Sequence, residues 1–198
     1  MFSGIVESTV EAIKDSILSK GSSLTFKVVR PVSFDDLKLG DSIAVNGICL
    51  TVEAMTSETL QFTMGSETLK ILSKNVDYFL DHKLNLERSL RYGDRVHGHL
   101  VTGHVEGLGR VEHVFQDGES WLMQIKLPAS LVKNVWSKGS IALNGVSLTI
   151  NLVDQDCVGV CLIPETIKKT NLVDYPLGSF VTVETDYYAK VLYLKGEV

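Results

Sequence analysis

The stretch VNGICLTV, Val45 to Val52, recurs as LNGVSLTI, Leu143 to Ile150. Each copy reads as a strand, an Asn-Gly turn and a second strand. Asn-Gly suits a two-residue type I′ turn, because both central residues need positive φ. With Asn46 and Gly47 at the turn, Val45 faces Ile48, Ala44 faces Cys49, Ile43 faces Leu50 and Ser42 faces Thr51. Directly opposed residues share one face of a sheet. One face therefore carries Ile43, Val45, Ile48, Leu50 and Val52, and the other Ser42, Ala44, Cys49 and Thr51. The second copy sorts in the same way, with Ile141, Leu143, Val146, Leu148 and Ile150 opposite a strip of Ser140, Ala142, Ser147 and Thr149. Such a strip of small residues either packs beneath a neighbouring element or carries a planar ligand held by hydroxyl and thiol. The pattern leaves both open.

Working outward, the whole chain is written twice. Glu67-Thr68-Leu69-Lys70 returns as Glu165-Thr166-Ile167-Lys168, and Val76-Asp77-Tyr78 as Val173-Asp174-Tyr175. Leu86-Glu87 returns as Val183-Glu184, and Ser3-Gly4-x-Val6-Glu7 as Thr102-Gly103-x-Val105-Glu106. The offset stays between 97 and 99 residues, so the repeat is a domain and not a solenoid unit. The second copy begins near Gly98, and Arg88 to His97 connects the two.

Strand signals fall on Leu24–Val29, Ser42–Val45, Ile48–Ala54, Leu60–Met64 and Leu84–Glu87, then on Trp121–Leu127, Ile141–Leu143, Val146–Leu152, Val158–Ile163 and Phe180–Thr185. Helix is expected only at Pro31–Leu39, Ala129–Trp136, the Glu67 and Glu165 segments and the tail after Asp186. The expected class is mainly β: two tandem homologous antiparallel β-barrels, small, six-stranded and Greek-key-like, plus a C-terminal helix. Closing each barrel removes its exposed strand edges.

The chain has 198 residues, of which 44% are hydrophobic, enough for a core in each half. A net charge of −5 without a basic block argues against nucleic acid as a partner. Apolar runs are strand-sized, so no membrane span is expected, and the first residues lack signal-peptide character. Three cysteines, Cys49, Cys157 and Cys161, do not make a secreted disulfide framework. A cytoplasmic location is the expectation.

The densest chemistry is HGHLVTGH, which holds His97, His99 and His104. His97 and His99 would share a face if this run were a strand, but no third ligand accompanies them, so no metal is expected. Acid or base work near neutral pH is the better use of histidine. His104 has Ile5 as its repeat counterpart, so the halves differ there. Cys157 and Cys161 lie on one face of a strand, where small buried side chains are the plain reading. Cys161 to Thr166 passes through Pro164 into a helix start, either a structural corner or a source of free N–H groups.

Six separated motifs, MFSGIVE (Met1–Glu7), GDSIAVNGICLTV (Gly40–Val52), ETL (Glu67–Leu69), LERSLRYGDRVHGHLVTGHVEG (Leu86–Gly107), LNGVSLT (Leu143–Thr149) and LIPETIKKTNL (Leu162–Leu172), resemble the riboflavin synthase α-chain family over essentially the whole chain. The resemblance implies a barrel at 1–97 and another at 98–186, each binding one 6,7-dimethyl-8-ribityllumazine. It further implies an oligomerisation helix at 187–198. The implied reaction moves four carbons from one lumazine to the other, giving riboflavin and 5-amino-6-(ribitylamino)uracil without metal or cofactor. A homotrimer is implied, with lumazine synthase a candidate partner.

Carried over by motif, the first ring lies against Gly4, Ile5, Val6, Ser42, Cys49, Leu50, Thr51 and Thr63, Met64, Gly65, Ser66, Glu67, Thr68. The second lies against Gly103, His104, Val105, Lys138, Ser147, Leu148, Thr149 and Cys161, Leu162, Ile163, Pro164, Glu165, Thr166. His104 is the candidate for proton transfer, with Cys49 and Ser147 assisting. MGSETLKILS (Met64–Ser73) and His97 depart from the family pattern, and the tail is short. The rival readings are a non-catalytic lumazine or flavin carrier, such as an antenna protein, and a purely structural or metal-binding barrel pair.

Overall fold

The computed structural model describes residues 1–194, with residues 74 and 192–194 as backbone only. The ends of the expected C-terminal unit, residues 195–198, lie outside the described residues. In the first half the strands are β1 (Ser8–Val10), β2 (Leu18–Lys20), β3 (Ser23–Val29), β4 (Ser42–Val45), β5 (Ile48–Thr51), β6 (Ala54–Met55), β7 (Thr59–Met64) and β8 (Leu84–Arg88). Helices α1 (Ser66–Leu72) and α2 (Val76–Asp81) separate the last two strands. The second half has β9 (Gly107–Asp117), β10 (Ser120–Lys126), β11 (Ser140–Leu143), β12 (Val146–Asp154), β13 (Cys157–Leu162) and β14 (Phe180–Thr185). Helix α3 (Pro164–Lys169) precedes β14, and α4 (Tyr187–Leu194) ends the described chain.

The second half is a closed six-stranded barrel in the order β10-β13-β12-β11-β14-β9. The first half follows the same circuit as two four-stranded sheets, β1-β8-β4-β5 and β2-β3-β7-β6. Its long strands are broken where the second half's run on. Between β1 and β2 the chain bulges through a turn in which Ser16 Oγ takes the Lys27 N–H at 2.8 Å. Between β5 and β6 it breaks at the corner where β12 has its register shift, after Ile150.

Both hairpins have the register that the Asn-Gly turns dictate, with Ala44 opposite Cys49 and Ala142 opposite Ser147. Asn46 and Asn144 sit at φ 45° and 46°. Alternation fills the barrels: Leu24, Phe26 and Val28 pair with Met64, Phe62 and Leu60, and Met123 and Ile125 with Val160 and Val158. Two separate cores result, one in each half.

The first strands of both halves, β1 and β9, carry no signal in the sequence strong enough to set them apart. The Glu67 and Glu165 segments and the described part of the tail are helical as expected. Pro31–Leu39 is not a helix, and competition for its carbonyl groups explains why. The Arg30 guanidinium donates to Phe34 O at 2.7 and 3.0 Å, and Arg88 donates to Ser33 O at 3.2 Å. Ala129–Trp136 holds only a 3₁₀ turn at Val132–Asn134, because its N–H groups bond three residues back, not four. Among the described residues no helix is long and apolar enough to cross a membrane.

Equivalent residues of the two halves meet across a pseudo-two-fold axis. Phe2 and its counterpart Val101 exchange backbone hydrogen bonds at 2.7 and 3.0 Å. Both are fully buried, and with Ala44 and Ala142 they form a third small core against which Cys49 packs. Beside it lies a buried amide network. Asn85 N–H donates to Asn46 Oδ1 and its counterpart Thr182 N–H to Asn144 Oδ1, each at 2.8 Å. The Asn85 amide reaches Asn144 O at 2.9 Å, and the Thr182 hydroxyl reaches Asn46 O at 2.5 Å.

Asn171, fully buried, ties this network together. Its amide donates to Asn46 Oδ1 and Lys83 O, and its carbonyl accepts from Asn85 and Asn144. A buried polar group robbed of its partner costs about 1–3 kcal/mol. Asn171→Ala, which strands several such groups, is expected to lower unfolding free energy by about 3 kcal/mol or more. A urea titration would read this as a lower midpoint at unchanged slope.

Candidate functional site

The hairpin strips have two ends with different surroundings. At the Ala44 and Ala142 end they are sealed in the interface between the barrels. At the other end Thr51 and Thr149 are exposed. The packing reading of the strip therefore holds at the Ala44 and Ala142 end, while the Thr51 and Thr149 end stays open to solvent. Around Thr51 stand β7 and α1. Thr63 faces outward from β7, its hydroxyl bonded to Thr25 at 2.8 Å and to Glu53 at 2.7 Å. Around Thr149 stand Cys161 on β13 and the start of α3. Neither α1 nor α3 has a side-chain N-cap, so the N–H groups of Ser66–Thr68 and of Glu165 and Thr166 are open to a partner. Two equivalent open shelves result, one on each barrel.

The segments completing each shelf come from the opposite half. Gly103 O accepts the Cys49 N–H at 2.8 Å, and Gly4 O accepts the Ser147 N–H at 2.7 Å. Val105 packs against the first core and Val6 lies in the second. The expected grouping is corrected accordingly: Gly4, Ile5 and Val6 flank Ser147, whereas Gly103, His104 and Val105 flank Cys49. The approach is close. A Cβ on Gly103 would stand 2.6 Å from the Cys49 Cβ, and one on Gly4 would stand 2.6 Å from the Ser147 Cβ. Both glycines have positive φ, 79° and 73°, a conformation that disfavours any other residue.

Alternation corrects four more of the expected contacts. Leu50, Met64, Leu148 and Leu162 point into the barrel cores, so only their backbone faces the shelves. Ser42, Cys49, Ser147 and Cys161 are half-buried, while Gly65, Ser66, Glu67, Ile163, Pro164 and Glu165 are exposed. Thr68 and Thr166 are half-buried beside them. Lys138, exposed with φ 69°, sits at the corner where its N–H bonds Ile150 O at 2.7 Å. Cys157 and Cys161 share the outer face of β13, while Val158 and Val160 fill the core.

The histidines separate. Residues 97–100 are not a strand, so His97 and His99 do not share a face. His97 lines an outer cleft of about 750 Å³ with Lys38, Arg88, Arg91 and Arg95. His99 turns inward, its Nδ1 2.7 Å from Ser147 Oγ. Burial holds His99 below the usual histidine pKa, against the pull of Asp186 and Glu184. His104 is exposed beside the first shelf. Among the described residues no cluster of three or more His, Cys, Asp and Glu side chains could hold a metal ion. His99 was the residue the sequence reading did not place in a site. Only its adjacency to Gly98 in a glycine-histidine run hinted at a close approach.

Each crossing segment is clamped by a buried carboxylate. Glu87 takes the Ser3 N–H at 2.7 Å, the Ser3 hydroxyl at 2.9 Å and the Gly4 N–H at 3.0 Å. Glu184 does the same for Thr102 and Gly103 at 2.7 to 2.9 Å. Burial pushes the Glu87 carboxyl up to about 7, although the hydrogen bonds from Ser3 and Gly4 pull it down.

The chain belongs to the lumazine binding domain family, whose model matches it twice, over residues 3–89 and 102–186. Among individual proteins, it is 37% identical to a riboflavin synthase of Bacillus subtilis (strain 168) over 195 residues, 98% of this chain and 88% of that one. It is 40% identical to a riboflavin synthase of Chlamydia muridarum (strain MoPn / Nigg) over 192 residues, 96% and 92% of the two chains. The fold is similar to that of LumP complexed with riboflavin, with TM-score 0.84 at 25% identity over 93% of this chain and 99% of that one. It is also similar to LumP complexed with 6,7-dimethyl-8-(1'-D-ribityl) lumazine, with TM-score 0.82 over the same shares and at the same identity.

The Glu87 carboxyl makes a pH prediction. Its folded pKa of about 7 lies above the ordinary 4.5, so the folded state disfavours the charged form. The resulting penalty is absent below pH 4.5, grows as pH rises to about 7 and is constant above, reaching about 3 kcal/mol at most. The stability of the wild type minus that of Glu87→Gln is therefore expected to be larger at pH 5 than at pH 8. Chemical denaturation of both proteins at the two pH values measures this, and a pH-independent difference would contradict it.

Proposed function

We propose that this protein is a riboflavin synthase, a transferase that dismutates two molecules of 6,7-dimethyl-8-ribityllumazine. One gives up a four-carbon unit and leaves as 5-amino-6-(D-ribitylamino)uracil; the other gains it and becomes riboflavin, the final step of riboflavin biosynthesis. The two products contain all the atoms of the two substrates, so the reaction consumes no external oxidant or reductant. The observation that carries this reading is the pair of equivalent shelves in a chain so similar, over nearly its full length, to riboflavin synthases. Two copies of one substrate call for two copies of one site.

In this reading residues 1–97 and 98–186 each hold one lumazine. The first ring lies on Cys49, Thr51, Thr63 and the start of α1, beside Gly103–Val105. The second lies on Ser147, Thr149, Lys138 and Cys161–Thr166, beside Gly4–Val6. One lumazine must lose a proton from its 7-methyl group and the other must be attacked. Unlike side chains at matched positions, Cys49 against Ser147 and Ile5 against His104, suit those unlike roles. His104 transfers the proton. Holding the two rings together supplies several kcal/mol more, of the ~7–11 available from proximity.

Both shelves are open surfaces of a single chain, and a second copy brought against them would exclude water from the reacting rings. A cytoplasmic homotrimer joined through residues 187–198, with lumazine synthase as a partner upstream, is the assembly that fits. The rival is a carrier, favoured by the likeness to ligand-bound LumP. Incubation with the lumazine alone separates the two. One riboflavin per uracil co-product is expected, whereas binding without turnover would make the chain a carrier.

For His104→Gln we expect kcat to fall by about 10²-fold or more with KM changed by less. A raised KM at unchanged kcat would remove His104 from the chemistry.

A further inference from the structure

His99 is half-buried on the segment that crosses between the barrels, with its Nδ1 2.7 Å from Ser147 Oγ. Gly98 makes this approach possible. A Cβ there would meet Ser3 O at 2.2 Å and the Ser147 Cβ at 2.6 Å, so a larger residue would push His99 off the serine. The other ring nitrogen, Nε2, is enclosed and has no hydrogen-bond partner among the described residues.

These facts favour one polarity for the pair. Burial lowers the His99 pKa from its ordinary value, which favours the neutral ring with one N–H. An orphaned buried N–H is rarer in folded proteins than an under-satisfied acceptor. On this ground we assign the proton to Nδ1 and the bare lone pair to Nε2. Nδ1–H then donates to Ser147 Oγ, and the hydroxyl's own proton is left for another acceptor. At the matched position of the first half, the Cys49 thiol has no side-chain hydrogen-bond partner among the described residues.

We propose that His99 is a positioning residue that sets Ser147 as the hydrogen-bond donor of the second shelf, directed at a carbonyl oxygen or ring nitrogen of the lumazine bound there. This deepens the synthase reading and rests on it. The two shelves then differ in kind as well as in residue type. The second offers a fixed donor, and the first offers a soft thiol with no side-chain partner to orient it among the described residues.

The test is a double-mutant cycle of His99→Leu and Ser147→Ala, with His99→Asn as rescue, because an asparagine amide can donate from the place of Nδ1. Kinetics are measured on variants whose thermal melts match the wild type. His99→Leu is expected to lower kcat by about 10–100-fold with KM within about threefold. His99→Asn is expected to restore kcat to within about threefold of wild type, and the double variant to be no slower than Ser147→Ala alone. An unchanged kcat in His99→Leu, a loss that adds to that of Ser147→Ala, or an asparagine as poor as leucine would each overturn the proposal.

If His99→Leu does not fold, His99→Ala takes its place in the cycle, with the same expected and overturning outcomes. If the wild type forms no riboflavin, the synthase reading falls on its own. The same cycle is then read in lumazine affinity by fluorescence titration, where coupling of about tenfold supports the His99–Ser147 pair and additive effects overturn it.

Discussion

Two backbone hydrogen bonds, Cys49 N–H to Gly103 O and Ser147 N–H to Gly4 O, hold each hairpin to a segment of the opposite half. Neither can form unless the glycine lies flat against the residue it covers, since a side chain at either glycine would collide with the hairpin. The segments are in turn pinned by Glu87 and Glu184, each accepting two backbone N–H groups and a hydroxyl. The relative placement of the two barrels follows from these contacts, with Phe2, Val101, Ala44 and Ala142 dry between them. Apolar contact alone would tolerate sliding. The amide network around Asn171 does not, because a small shift would strand several buried donors and acceptors at once. The interface thus gains a unique geometry from polar groups and its adhesion from apolar ones.

Symmetry in the frame makes asymmetry at the sites meaningful. Cys49 and Ser147 stand at the same place in the same hairpin, and Ile5 and His104 at the same place in the crossing segments. Glu7 is paired with Arg88, while its counterpart Glu106 bonds Thr185 and Lys190 of α4. His99 bears on Ser147 alone. In a reaction between two copies of one molecule each copy does something different, and unlike surroundings at matched positions suit that. The duplicated fold repeats the frame, and a few substitutions at matched positions make its two strips unlike.

Much of the fold was legible because it rests on local rules. Period-two alternation and the φ demand of Asn-Gly act within a few residues, so the hairpin register and the inward and outward faces followed from VNGICLTV alone. The repeat offset gave the two barrels. Where long-range competition entered, local signals failed. The Pro31–Leu39 segment has a helical pattern, but Arg30 and Arg88 take its carbonyl groups. Leu50, Met64, Leu148 and Leu162 lie inside motif windows, yet the pleat turns their side chains into the cores.

The sequence by itself determined that there are two equivalent hairpin strips, which residues line them and which positions differ between them. Only the tertiary structure decided which crossing segment lies against which strip. Repeat alignment states that Gly4 and Gly103 are equivalent, but equivalence is preserved whether each packs on its own half or on the other. The choice rests on the close fit of glycine against Cys49 and Ser147 and on the bond that each carbonyl accepts there. The same crossing brings His99 to Ser147 across 48 residues of sequence, a meeting that no local pattern encodes.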